Sequence, residues 1–329
     1  MDALFAAYDR PDAPGASVLV TEGECVVYRR AFGFADLEAR TPATTRTDYR
    51  LASLTKQFTA TAVMLLVRDG KLRYDEPLTE ALPGFPAYGR AITLRHLLTH
   101  TSGLLDYEDF VPDTQTVQLK DRDVLAILER VDSTYFPPGT AYRYSNSGYA
   151  LLALVVERAS GVPFARFLHD RIFAPLGMSG TVAFEQGVST VPRRAFGYTE
   201  RGGRFVRTDQ SPTSAVLGDG GVYSSVDDLA RWARALDERT LLDAATLRLA
   251  TTPPALPGGA RSEYGFGWFV DRYRGLVRHR HHGETVGFTN AIQRFPERRI
   301  TVVILTNRTG GEPWALAQRV ADLVLFPSR

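Results

Sequence analysis

Two residues three places apart can do chemistry together in this chain. Ser53 and Lys56 stand at the head of an apolar run, LASLTKQFTATAVMLL, residues 51 to 66. On a helix, residues i and i+3 share one face about a turn apart, so these two side chains can touch. A serine hydroxyl is a weak nucleophile until a base takes its proton. A lysine can be that base where burial or a nearby positive group lowers its pKa. Arginine cannot, because it stays protonated in proteins. Only three of the 39 basic residues are lysines, at positions 56, 71 and 120, and only Lys56 has a serine three places before it. Taken alone, the pair reads equally as a helix cap and a surface charge.

Two further stretches add groups suited to the same chemistry. Tyr144-Ser145-Asn146 falls in a turn before the apolar run YALLALVV. A tyrosine near a lysine can relay protons, and an asparagine amide can bind a substrate carbonyl or amide. HHGETVGF places His281 and Gly283 beside a strand, where glycine lets another backbone come close. With these residues in this order, the sequence resembles the serine β-lactamase and penicillin-binding-protein superfamily. The match is closest to the class C-like branch, which also holds esterases and D-amino-acid peptidases. It runs from about residue 15 to 310 and is carried by Ser53-Leu54-Thr55-Lys56 (S-x-x-K), Tyr144-Ser145-Asn146 (Y-x-N) and His281-His282-Gly283 (H-x-G). LRHLLTHTSGL, FAPLGMSGT and GDGGVYSSVDDLARW support it.

The resemblance implies a role for each matched position. Ser53 attacks a carbonyl and forms an acyl-enzyme, Lys56 assists its deprotonation, and Tyr144 acts as base or acid toward the leaving group. Asn146 holds the substrate amide. His281 sits where many relatives carry a lysine, near the tyrosine and any substrate carboxylate, with His282 as the alternative register. The backbone N–H groups of Ser53 and Glu284 form the oxyanion hole, and one such donor is worth about 3 kcal/mol of transition-state stabilisation. Which of Lys56 and Tyr144 is the working base stays open, since the two titrate as a pair. No cofactor is implied.

Histidine in place of the lysine of K-T-G makes the charge facing a β-lactam carboxylate depend on pH. The start, MDALFAAYDRPDAPG, has acidic residues and no basic n-region before an apolar one, unlike a secretory leader. The expectation is therefore a cytoplasmic carboxylesterase, amidase or peptidase acting on small ester, amide or peptide substrates. A true β-lactamase or D-alanyl-D-alanine carboxypeptidase is the alternative, and an acylatable sensor with little turnover is a non-enzymatic one. The oligomeric state is not legible.

Other chemistries lack their signals. In RHRHHGE, His279 and His281 share a strand face, but the H-x-H-x-D-H pattern of metallo-hydrolases is missing, so no metal is expected. No serine has flanking glycines in a G-x-S-x-G elbow. GDGGV, residues 218 to 222, is not followed by the lysine and hydroxyl of a phosphate loop and reads as a turn at the cleft. A net charge of +2 without a basic face gives no reason to expect nucleic acid. The longest apolar run stops at Glu157, too short for a bilayer, so no membrane is expected. Cys25, the single cysteine, reads as a buried inert thiol.

The elements that must position these residues follow from periodicity. ASVLV and CVVYRRAFGFAD flank the turn TEGE as a hairpin, and YGFGWFV, GFTNAIQRF and RITVVILTN read as strands near the other end. Helical spacing covers 54–68, 122–131, 148–159 and 226–237, with Ser225 and Asp228 as a capping box, and a last helix from Pro313 to about Phe326. The fold class is α+β, β-lactamase/transpeptidase-like: a mainly antiparallel sheet from both chain ends flanked by helices, with a mostly helical region inserted. Residues 1–50 and 213–329 are assigned to the sheet region and 51–212 to the helical one, with the active site in the cleft between. Stretches 107–121, 185–212 and 252–262 are expected as rim or lid loops. Tyr107, Tyr223, Trp268 and Phe288 are candidates to shape an acyl pocket.

Overall fold

The structure, a computed structural model, describes residues 1–327. Its main sheet has six antiparallel strands: β1 (Ala16–Glu22), β2 (Cys25–Phe32), β3 (Phe269–Tyr273), β4 (Leu276–Thr285), β5 (Phe288–Phe295) and β6 (Ile300–Thr306). Their spatial order is β3-β4-β5-β6-β1-β2, so the first and last parts of the chain meet where β1 pairs with β6, Ala16 opposite Thr306. Both faces of the central strands are covered, which explains their unbroken apolar runs. Val18, Val20, Val302 and Ile304 pack on one side with Phe5 and with Ala317 and Val320 of the last helix. Leu19, Val303 and Leu305 point the other way, into the large core shared with the helices.

The helices that matter for the site are α1 (Lys56–Arg68), α2 (Asp121–Leu128), α3 (Asn146–Ser160), α4 (Val226–Glu238) and α5 (Pro313–Leu325). Helix α1 is buried at every position from Lys56 to Leu66, so it is a central helix with no solvent face. Ser225 caps α4 by accepting the Asp228 N–H. Among the described residues no helix is long and apolar enough to cross a membrane.

Two expectations need correction. Cys25 is exposed, because it opens β2, the strand at one edge of the sheet. The run YGFGWFV is not a strand from its start; the strand begins only at Phe269. Gly267, at φ 77°, passes so close to the backbone of Lys56 and Gln57 that a Cβ there would lie 2.8 Å from the Lys56 carbonyl oxygen. The glycines let this segment wedge against the start of α1 before the chain can enter the sheet.

Candidate active site

The turn that carries Ser53 is held from both sides. Tyr49–Arg50 forms a short strand antiparallel to Val222–Ser224, the Leu51 N–H donates to the Val222 carbonyl at 2.8 Å, and the Thr55 hydroxyl accepts the Val222 N–H at 3.1 Å. Ala52 has φ 50°, a left-handed conformation that costs a non-glycine residue roughly 1–2 kcal/mol. That strain sits immediately before Ser53, which lies in a single 3₁₀ turn, Ala52–Thr55, running directly into α1.

Lys56 is fully buried, and its ammonium finds three acceptors for its three protons. These are Ser53 Oγ at 3.1 Å, Asn146 Oδ1 at 2.8 Å and the Asp219 carbonyl at 2.9 Å. Burial pulls its pKa down to about 8, against the opposing pull of Asp219, Glu108 and Asp106. At that value a useful fraction is neutral amine near neutral pH, with a lone pair available beside the Ser53 hydroxyl.

Tyr144 lies just ahead of α3, where Ser145 accepts the Gly148 N–H and Asn146 is the first helical residue. The Lys56 ammonium is 5.0 Å from the centre of its ring. Its hydroxyl is buried with no partner at hydrogen-bonding geometry among the described residues, and burial pushes its pKa far up, with the Ser53 hydroxyl the main counterweight. Lys56 and Tyr144 are thus driven apart, the amine toward losing its proton and the phenol toward keeping it.

His100 holds this tyrosine from behind. Its carbonyl accepts the Arg143 N–H at 3.0 Å and its Nδ1 accepts the Ser145 N–H at 3.1 Å, so the amides on both sides of Tyr144 are fixed to one residue. The imidazole packs on the Tyr144 ring with centroids 4.2 Å apart. An accepting Nδ1 leaves the proton on Nε2, and burial, reinforced by Lys56 and His281, holds the ring neutral. His100 itself sits at φ 56°. The sequence stretch that contains it, LRHLLTHTSGL, carries no spacing that would announce this role.

Ser53 opens into a crevice of about 40 Å³, room for little more than a water, lined also by Tyr107, Glu108, Asn146, Asp219 and Glu284. Its rim is acidic. Burial raises Glu108 to about 7 and Asp219 to about 6, and it raises Asp106 as well. The Tyr107 hydroxyl donates to Asp219 Oδ2 at 3.0 Å. Sequence reasoning placed GDGGV at the cleft and Tyr107 near the acyl group but did not find the carboxylates. They come from two short helical turns, Tyr107–Phe110 with its cap Asp106 and Leu217–Gly220, that converge only through the fold.

Strand β4 closes the other side. Gly283 crosses the Ser53 turn so closely that a Cβ would run into the Leu51 carbonyl, and Glu284 and Thr285 follow into the crevice. His281 is two residues earlier and wholly buried. Its Nδ1 bonds the His282 carbonyl at 2.6 Å and its Nε2 meets the Tyr264 hydroxyl at 2.9 Å, so neither nitrogen faces Ser53. Burial holds it well below the usual histidine range. His282 is exposed on the opposite face. The chain thus brings Ser53, Lys56, Tyr144, Asn146 and Glu284 together, with Gly283 as the close-approach point, and leaves His281 one layer back. Of the four aromatic candidates only Tyr107 lines the crevice. Tyr223 and Phe288 pack edge-on at 6.2 Å in the core, and Trp268 lies against His279 at a separate cavity. No group of three or more His, Cys, Asp or Glu among the described residues is placed to hold a metal ion.

The chain matches the family model described as Beta-lactamase over residues 1–326. It is 32% identical to penicillin-binding protein 4* of Bacillus subtilis strain 168, covering 99% of this chain and 75% of that one. It is 31% identical to a D-aminopeptidase of Cereibacter sphaeroides, covering 93% of this chain but only 60% of that relative. Among solved structures, the D-amino acid amidase from Ochrobactrum anthropi SV3 superposes with a TM-score of 0.82 at 27% identity, over 98% of this chain and 97% of that one. The octameric penicillin-binding protein homologue from Pyrococcus abyssi superposes at 0.86 with 29% identity, over 98% and 75%.

Proposed function

Since this chain belongs to the beta-lactamase family, we propose that it is a serine hydrolase that cleaves the amide bond of a small substrate through an acyl-enzyme on Ser53. The observation that carries this reading is the fully buried Lys56 amine, 3.1 Å from Ser53 Oγ, with its pKa lowered to about 8. Neutral Lys56 takes the Ser53 proton as Oγ bonds to the amide carbon. The charge gathering on the carbonyl oxygen is received by the backbone N–H groups of Ser53 and Glu284. Tyr144, held protonated by burial, gives its proton to the departing nitrogen, and the Lys56 ammonium restores it. Water then attacks the ester as Lys56 takes its proton, and the Lys56 ammonium gives that proton to Ser53 Oγ as the ester bond breaks, restoring the free serine and the neutral amine. Asn146, already positioned by Lys56, holds the substrate amide.

The acidic rim gives the reading a direction. Glu108 and Asp219 beside the nucleophile suit a substrate with a free ammonium group, in keeping with the relatives named as D-aminopeptidase and D-amino acid amidase. His281, neutral and turned away, offers no cation for a β-lactam carboxylate and acts as a strut behind Tyr264 and Tyr144.

The test is intact mass and product release with the p-nitroanilides of D- and L-alanine, a p-nitrophenyl ester and a penicillin. The expected result is Ser53-dependent turnover of an alanine anilide, strongest for one enantiomer, and none in Ser53→Ala. Turnover of the ester alone would move the assignment to an esterase. A penicillin adduct with no amide turnover would move it to a penicillin-binding protein.

A further inference from the structure

The Ser53 crevice is too small for anything beyond the reacting group, yet a much larger hollow lies on the other side of one stretch of backbone. Thr213 lines the crevice, whereas Ser211, Pro212 and Ala215 line the hollow, which measures about 880 Å³. The partition is fixed. The Asp121 carboxylate accepts the N–H groups of Leu217 and Gly218, each at 2.9 Å, and Arg50 donates to the Ser214 carbonyl at 2.9 Å.

The lining of this hollow is unusual for the chain. Seven glutamines occur in 329 residues, and four of them, Gln115, Gln118, Gln186 and Gln210, line this one space. Lys120 and Arg122 stand against Glu157 and Glu185, and the third acid of the lining, Asp121, spends its carboxylate on the Leu217 and Gly218 N–H groups, so the charges that remain are balanced. Two of the glutamines are held in place: Gln118 donates to Gln210 Oε1 at 3.1 Å, and Gln210 donates to the Tyr223 hydroxyl at 3.0 Å. Gln118 also donates to the Ser211 carbonyl at 3.1 Å, so of the two donor hydrogens and the acceptor oxygen of a primary amide it keeps the oxygen, while Gln210 keeps one hydrogen and one lone pair. Several such groups around one hollow match a ligand that alternates N–H and C=O along its length, as a peptide backbone does.

We propose that this glutamine-lined hollow is an extended subsite for the leaving-group side of a peptide substrate. The inference rests on the amidase reading: if the acidic rim anchors the amino end of the substrate, the chain beyond the scissile bond is the part that must find room elsewhere. Residues past the first two would cross Thr213 and lie along Gln118 and Gln186. Binding made there draws the substrate in without touching the reacting atoms, so it acts on KM more than on kcat.

The experiment compares hydrolysis of D-alaninamide, D-alanyl-glycyl-glycine and D-alanyl-(glycyl)4 by the full chain and by Gln186→Ala and Gln115→Ala, both changes at the accessible lining. The expected result is a kcat/KM ~10-fold higher for the longest peptide than for the amide, carried by KM and reduced to a ~2-fold advantage or less in the variants. Kinetics on D-alaninamide should be unchanged in those variants. Equal efficiency on all three substrates, or variants that slow the amide and the long peptide alike, would overturn the subsite while leaving the amidase assignment standing. No hydrolysis of D-alaninamide or of either peptide by wild type would instead strike the reading on which it rests. Protection of the fold by a chitin tetramer, with none by glycine peptides, would also overturn it, in favour of an oligosaccharide.

Discussion

Lys56 and His281 are both fully buried bases near Ser53, and they are used in opposite ways. Lys56 directs all three donors at the reacting side: at Ser53, at Asn146 and at the Asp219 carbonyl. His281 has both nitrogens engaged behind the site, on Tyr264 and on its own strand. The same physical cause, loss of water, makes one a base with a pKa of about 8 and holds the other, a strut, well below the usual histidine range. Burial alone therefore does not mark a catalytic group. What separates the two is whether the polar atom reaches the Ser53 hydroxyl.

The largest expected effects break the Lys56 side of the comparison. Ser53→Ala should show no acyl adduct by intact mass. Lys56→Ala should lower acylation ~10³-fold or more, within the range for loss of a general base. Lys56→Arg should be nearly as damaging, because guanidinium keeps the charge and surrenders no proton. An arginine variant of near-normal rate would make Lys56 an electrostatic anchor only. The pH profile gives the sign independently. Deprotonation of Lys56 creates the base, so kcat/KM should rise with pH through about 8 and should not fall there from a plateau at lower pH.

That much was legible because S-x-x-K is a local code: three places along a helical turn put two side chains together whatever the rest of the fold does. Y-x-N is local too, and the hairpin, the terminal helix and the sheet built from both chain ends follow from periodicity in β1, β2, β5, β6 and α5. The rest depends on distance in the chain. Glu108 and Asp219 meet across 111 positions, and no spacing rule connects them. His281 shows the limit within a motif, since sequence gives its place on β4 but not where its ring nitrogens bond. Cys25 was misread for a similar reason: β2 has an apolar start, and only strand order reveals that it is an edge.

An intermediate effect is expected at His100, which touches neither Ser53 nor Lys56 and grips the amides beside Tyr144. A misplacement of about 1 Å in a catalytic group can cost ~10²-fold, so His100→Ala should lower kcat by about that factor with little change in KM. His100→Asn keeps an acceptor atom at the Nδ1 position and tolerates the left-handed backbone, so it should recover most of the loss. If both variants fold normally and lose activity equally, the grip on Ser145 is not what matters. A smaller effect belongs to Glu108→Gln, which removes a charge from the rim and should raise KM ~10-fold for an amine-bearing amide while leaving its N-acetyl derivative unchanged. Because burial raises Glu108 to about 7, the wild-type KM for the amine should fall as pH rises toward 7 and the carboxylate forms. The glutamine variant should lose that dependence.

The smallest effect should come from the His281 side. In His281→Gln the amide can still accept the Tyr264 hydroxyl bond from the same direction, so the strut is kept while the imidazole is removed. If His281 acts only through Tyr264 and the aromatic layer behind Tyr144, this variant should stay within ~5-fold of wild type in kcat/KM, with no change in the position of the acid limb. Tyr264→Phe deletes the other end of the same bond and leaves the His281 Nε2 buried without a donor. Its cost should appear mainly as stability, about 1–3 kcal/mol in denaturant unfolding. A fall of ~10²-fold or more in His281→Gln, with unfolding unchanged, would mean that the imidazole turns toward substrate during the reaction. The contrast with Lys56 would then be one of timing rather than of place.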